Sequence, residues 1–328
     1  MEQRRFSGKG HWYHETQSNH SQTDVLPLVP EAANVDDRFL LDLALPDDIL
    51  ASCVGWLTPA RTLCHLLFPL DTPVNRLHTL SAYDRLSTAL TVAQACGVQR
   101  LCNHYAALLA PLPGPDSSRE SNRRLAEITQ YARQLASSPD VIDDKAQNQL
   151  DEVGLTTYDI VLINQIIGFV GFQARVVAVF QALLGHPVRW LPGHHIQPHT
   201  LPLSFSRWTA TLPVVELKYA SALQLEALSR WQAEPALEAL TPVLCHEPML
   251  LDLTGEILLN HPRSEGPASS MISAARALLV ASPDRFSAAQ LTPLTGSGLS
   301  PEKAINLLTR DAFYGWLDRL RVALGKEE

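Results

Sequence analysis

The chain has 328 residues, 46% of them apolar and 18% charged, with a formal net charge of −8 and a pI of about 5.8. That length suits two domains of ordinary size. The acidic balance argues against a nucleic-acid partner, which asks for a basic face.

Residues 1–36 are polar and rich in histidine, and they read as a poorly ordered arm. Met1 to Ser7 leads into polar sequence with no apolar signal segment, so a cytoplasmic protein is expected. Cys53, Cys64, Cys96, Cys102 and Cys245 are odd in number and widely scattered. They read as reduced thiols rather than a disulfide framework.

A helical pattern starts at Asp37, and Thr58-Pro59 and Thr72-Pro73 place prolines where helices begin. Ser81 is an N-cap, and the helix after it is expected to run unbroken through Leu86, Leu90, Gly97, Leu101 and Leu108. Pro111 and Pro113 stop it. A polar loop over 113–122 precedes a helix over 123–137 and a short one over 143–152, closed by Gly154. Thr156 or Thr157 caps a long apolar helix to Leu184. That helix contains Asn164, Gln165, Gln173 and Arg175, which suit a buried core helix better than a membrane span.

Residues 188–213 are a proline-rich linker. His194, His195 and His199 sit in it without a helical metal-binding frame, and no metal is expected. Helices then follow over 214–231, from Glu234, from Pro248, over 268–281, from Ser287 and from Ser300 to Leu324. Strand-like alternation is nearly absent, so the fold class is all-α.

One pattern occurs twice. Gly154-Leu155-Thr156 leads to Phe169-Val170-Gly171-Phe172 and Arg175; Gly298-Leu299-Ser300 leads to Phe313-Tyr314-Gly315-Trp316 and Arg319. The same offset maps Ser138-Pro139-Asp140 onto Ser282-Pro283-Asp284. A repeat this long fits a duplicated domain rather than a solenoid. Gly171 and Gly315, each inside a helix, suggest close packing against another helix. Arg175 and Arg319, one turn later, need partners in so apolar a setting. An ion pair, a carbonyl-capping role and the edge of a pocket or subunit interface all remain open.

Gly-Leu-[Ser/Thr] followed by an apolar helix ending Phe-x-Gly-[Phe/Trp]-x-x-Arg resembles the alkylhydroperoxidase D-like, or carboxymuconolactone decarboxylase, superfamily. The segment from Asp84-Arg85-Leu86 to Tyr105-Ala106-Ala107 resembles that family's active-site helix. The resemblance implies two tandem helical domains, over 37–187 and 214–328, the second degenerate. It also implies a homo-oligomer and a thiol-dependent oxidoreductase or peroxidase acting on a small hydroperoxide or another small substrate.

Peroxidase members carry Glu-x11-Cys-x2-Cys-x3-His, which sets two thiols one helical turn apart with a proton carrier on the same face. Here the aligned positions are Leu86, Val98, Leu101 and Tyr105, and no shift of register restores the motif. The remaining candidates are Cys96 and Cys102, with His104 as the nearby base. On one continuous helix Cys96 and Cys102 point about 240° apart and lie about 9 Å apart along the axis. Pairing them requires the helix to break at Gly97. Otherwise both read as small core residues. Cys245, beside His246 and Glu247, has no second thiol in its own half. The alternative function is a non-redox scaffold or small-molecule binder; a lactone decarboxylase is a third reading, without an identifiable acid–base set. No P-loop, dinucleotide-type turn or nucleophile elbow is present, and no cofactor is expected.

Overall fold

The computed structural model describes residues 28–187, 196–197, 208–261 and 270–327. Most of the expected arm, most of the linker, and His194, His195 and His199 lie outside the described residues. The described residues form twelve α-helices and one pair of three-residue strands, an all-α fold.

Helix α1 (Asp47–Leu67) contains Pro59 rather than starting at it. A proline there removes one helical hydrogen bond. The helix continues because Trp56, Leu57, Ala60, Leu63, Cys64 and Leu67 bury one face of it. The helical pattern expected from Asp37 is instead a tight turn. Asp37 accepts from the backbone N–H groups of Phe39 and Leu40, both at 3.0 Å, and Leu41 and Asp42 take φ of 55°. Thr72-Pro73 starts no helix, and residues 68–80 form a loop.

Ser81 caps α2 (Ala82–Cys96) through a capping box with Asp84. The helix expected to run on to Leu108 breaks here. Gly97 takes φ of 70°, a left-handed conformation suited to glycine, and α3 (Gln99–Leu109) starts in a new direction. Helix α4 (Arg119–Ser137) begins four residues earlier than the expected 123, because Ser118 caps it. Next come α5 (Asp144–Glu152) and α6 (Thr157–Leu183), the latter boxed by Thr156 and Asp159. Of the most apolar window of α6, 89% is buried inside the protein, which makes it a core helix.

The later helices are α7 (Ala222–Trp231), α8 (Thr241–Leu244), α9 (Pro248–Leu259), α10 (Ser270–Ala281), α11 (Ala288–Gly296) and α12 (Pro301–Leu324). Helix α7 is shorter than the expected 214–231, because residues 214–221 spend one 3-10 turn at Leu217–Tyr219 and end on the N-cap Ser221. The helix expected from Glu234 forms only turns before α8. Strands β1 (Trp208–Ala210) and β2 (Gly325–Glu327) pair antiparallel.

The sequence repeat is also a geometric repeat. Helices α5 and α11 have bounds 144 residues apart, and so do the N-caps Thr156 and Ser300. Gly154 and Gly298 take φ of 86° and 94°. Ser138 and Ser282 share an unusual conformation, φ −146° and −152° with ψ 66° and 68°. Between the halves, Ile196 donates to the Ala281 carbonyl at 2.9 Å, and Gln197 donates to the Ser137 carbonyl at 2.8 Å. Those two carbonyls are related by the same offset. The connection is therefore stitched to equivalent points of both halves.

Helices α6 and α12 pair at the centre of the core. Phe172 stacks on Trp316 at 6.1 Å, and Phe169 meets the Trp316 edge at 5.8 Å. The close approach expected at Gly171 and Gly315 lies elsewhere. A Cβ at Gly168 would overlap the Trp316 ring, whereas at Gly171 it would meet only the guanidinium of Arg175, at 3.4 Å. The two repeated glycines leave room for their own arginines to fold back, not for another helix.

Candidate functional site

Cys96 is the last residue of α2, and the break at Gly97 turns α3 back beside it. Its thiol is 1% exposed, and the guanidiniums of Arg175 and Arg319 both act on it electrostatically. Burial still pushes the thiol upward, and Asp284 adds to that while the two guanidiniums oppose it. Cys102 lies in the first turn of α3 and is also buried. Burial, then the neighbouring Cys96, pushes it up to about 12. Across the break the two buried thiols act on each other electrostatically.

His104 is not placed as the expected base. Its Nδ1 lies 2.7 Å from the carbonyl of Ala32, and the ring is buried against Tyr105. Burial lowers its proton affinity. The ring is committed to the 30–33 turn, so it anchors that turn against α3 and serves neither thiol.

The positions aligned with the family motif hold packing groups. Leu86, Val98 and Leu101 are buried. The Tyr105 hydroxyl donates to Gln173 Oε1 at 2.7 Å, and Gln173 passes its own N–H groups to the carbonyls of Arg38 and Phe39. This buried network is fully partnered, so it holds α3, α6 and the Asp37 turn together. The other thiols are occupied locally. Cys245 donates to the Gln224 carbonyl at 3.1 Å and Cys64 contacts the Arg38 carbonyl at 3.7 Å, while Cys53 lies 3.7 Å from Ser52 Oγ.

A cleft of about 390 Å³ opens at the α2–α3 junction. Gly97, Val98, Arg100, Asn103, His186 and Asp284 are among its walls. Cys96 lies one residue below the wall, and Asp284 links the cleft electrostatically to its thiol.

A second polar cluster lies at the N-terminal end of α2, around a cleft of about 270 Å³. Arg85 comes from the first turn of α2, His78 from the 68–80 loop and Glu247 from the start of α9. His78 Nδ1 is 3.5 Å from Glu247 Oε1. Arg85 gives one bond, Nη1 to the Leu67 carbonyl at 3.3 Å, while its Nε is buried with no partner among the described residues. Burial pushes Glu247 up to about 7, with Arg85 opposing and Asp159 adding to the rise. Asp159 is itself satisfied by the N–H groups of Thr79 and Leu80 and by Thr156. Behind it the Tyr158 ring lies between His78 and His246, at 5.1 and 5.0 Å. Sequence reading missed this cluster. Arg85 entered it only as part of a resemblance, and nothing in spacing links it to Glu247.

No family model matches the chain, and no curated protein matches it.

Proposed function

We propose that the chain is a thiol–disulfide oxidoreductase built from two tandem alkylhydroperoxidase D-like units, with Cys96 and Cys102 as its working pair. The observation that supports this reading is the helix break at Gly97, between Cys96 and Cys102, with the two buried thiols acting on each other electrostatically. Two further features support it. Arg175 and Arg319 both face Cys96, so ionising that thiol adds a negative charge where two buried cations already stand. A cleft large enough for a small hydroperoxide lies against the same junction.

In this reading the Cys96 thiolate attacks one peroxide oxygen. The S–O bond forms, the O–O bond breaks, and the departing alkoxide leaves as the alcohol with the thiol's proton. The Cys102 sulfur then displaces water from the sulfenic acid, giving a disulfide. One hydroperoxide and two thiols become one alcohol, one water and one disulfide, and an external dithiol returns the pair to its reduced form. With burial holding both thiols upward, thiolate is scarce at neutral pH and turnover rises into the alkaline range.

The second reading is the non-redox one, and burial of Leu86, Val98, Leu101 and Tyr105 at the motif positions favours it. Hydroperoxide consumption by wild type against Cys96→Ser and Cys102→Ser separates the two. The redox reading expects loss in both variants; consumption that is equal in all three proteins supports the non-redox reading.

A further inference from the structure

The second cleft makes no use of either thiol, yet it gathers groups that a purely structural cluster does not leave idle. Arg85 Nε and Thr72 Oγ1 are both buried without a hydrogen-bond partner among the described residues. Leaving such groups unpaired is unfavourable, most of all for a charged one. No carboxylate lies within 4.0 Å of the Arg85 guanidinium among the described residues, although Glu247 and Asp159 act on it from farther away. The apolar part of the cleft wall is formed by Leu66, Leu162, Met249 and Leu250, with Asp71 and Asn75 on the loop side. A half-buried cation with a spare buried donor beside apolar walls suits an oxyanion on an apolar body.

We propose that this cleft binds a small apolar monocarboxylate, its carboxylate held by Arg85 and Thr72, its chain lying on Leu66, Leu162, Met249 and Leu250, and Glu247 in its acid form donating to it. Two carboxyl groups meet there, so only one carries charge, and binding draws a proton onto Glu247. Glu247 is poised for this because burial already places it near neutrality. The groups that face it are Arg85 on α2, His78 and Asp71 on the 68–80 loop, and Asp159 and Tyr158 on α6, with His246 beside it in the chain. Asp84 acts on Arg85 rather than on the cleft. Asp159 accepts hydrogen bonds from Thr79, Leu80 and Thr156, which leaves Glu247 to meet the bound carboxylate.

Isothermal titration calorimetry of the full chain with sodium hexanoate tests this, without oxidant or dithiol present, so the outcome is independent of the thiol reading. The expected result is saturable binding at pH 6.5, with proton uptake, seen by comparing buffers of different ionisation heat, that is a fraction of a proton there and approaches one by about pH 8, and affinity falling about tenfold or more by pH 8.5. Arg85→Gln weakens binding about tenfold or more. Met249→Trp fills the cleft from an exposed position and abolishes binding without touching the buried polar groups. Glu247→Gln flattens the pH dependence. No saturable heat from natively folded protein at pH 6.5 overturns the proposal. Hexanol binding as tightly as hexanoate overturns it as well, as does hexanoate binding that survives Met249→Trp unchanged.

Discussion

Arg175 and Arg319 make the same two hydrogen bonds with the halves of the chain exchanged. Each Nη1 donates at 2.8 Å to the carbonyl of the glycine one turn before it, Gly171 or Gly315. Arg175 Nη2 then reaches the Val280 carbonyl at 2.7 Å, and Arg319 Nη2 reaches the Ala136 carbonyl at 3.1 Å. Ala136 and Val280 are equivalent positions of the repeat. Each half therefore caps the other half's helix end, α4 or α10, with a planar two-pronged donor.

Replacing either arginine should consequently weaken both halves together. Arg175→Met and Arg319→Met each remove two charge-assisted bonds to carbonyls and are expected to lose about 3 kcal/mol. Lysine, a single point donor, does not restore either one. Urea unfolding checks this: a single transition shifted by similar amounts in both variants is expected, whereas a loss confined to one half's signal contradicts the exchanged arrangement.

The glycines of α6 separate packing from mere recurrence. Gly168→Ala drives a methyl into the Trp316 ring and is expected to cost a few kcal/mol by overpacking. Gly171→Ala meets only the end of Arg175 at 3.4 Å, and alanine favours the helix by about 1 kcal/mol, so its stability should stay within about 1 kcal/mol of wild type. Thermal midpoints of the two variants decide the matter, and equal losses contradict the account.

Two buried groups tilt stability with pH in opposite directions. His261 lies between Trp56 at 5.1 Å and Phe313 at 6.0 Å, its Nε2 has no partner among the described residues, and burial lowers it from 6.5 to about 3. Between those values the unfolded chain binds a proton that the folded chain refuses, so stability falls as pH drops from about 6.5 toward about 3. The slope for one proton is roughly 1 kcal/mol per pH unit. His261→Phe should flatten that decline. Glu247 is raised from 4.5 to about 7, so here the folded chain holds the extra proton and stability falls as pH rises through that window. Glu247→Gln should therefore gain stability above pH 7 relative to wild type. Denaturant titrations from acid to mildly alkaline pH read both slopes.

Local signals told much of the fold. Ser81, Thr156 and Ser300 cap helices as their residue types suggest, because a cap depends on a few adjacent atoms. The repeat was legible because the two copies stayed in register without a gap. Pro59 misled because proline is a start signal on local grounds, while the buried face that carries α1 through it is set by tertiary packing. Gly97 fits equally a residue within a helix and a left-handed terminator, and that one choice decides whether Cys96 and Cys102 lie on one helix or on two. His104 looked like a base because it is two residues from Cys102, yet helical residues at that spacing do not face each other and its ring turns to Ala32. Arg85 and Glu247 meet only because α2 and α9 flank the same loop, a juxtaposition no local pattern encodes.

Under the proposed function Cys96 and Cys102 act as a redox pair. The most direct measurement of this is peptide mapping by mass spectrometry after brief exposure of native protein to a small organic hydroperoxide at pH 8 and pH 9.5. The account predicts a Cys96–Cys102 disulfide that forms faster at the higher pH, because both thiols are held upward by burial. It also predicts that a dithiol reverses the bond and that Cys53, Cys64 and Cys245 remain reduced. Oxidation spread evenly over the five thiols, or none at Cys96 and Cys102 while the fold stays native, contradicts it.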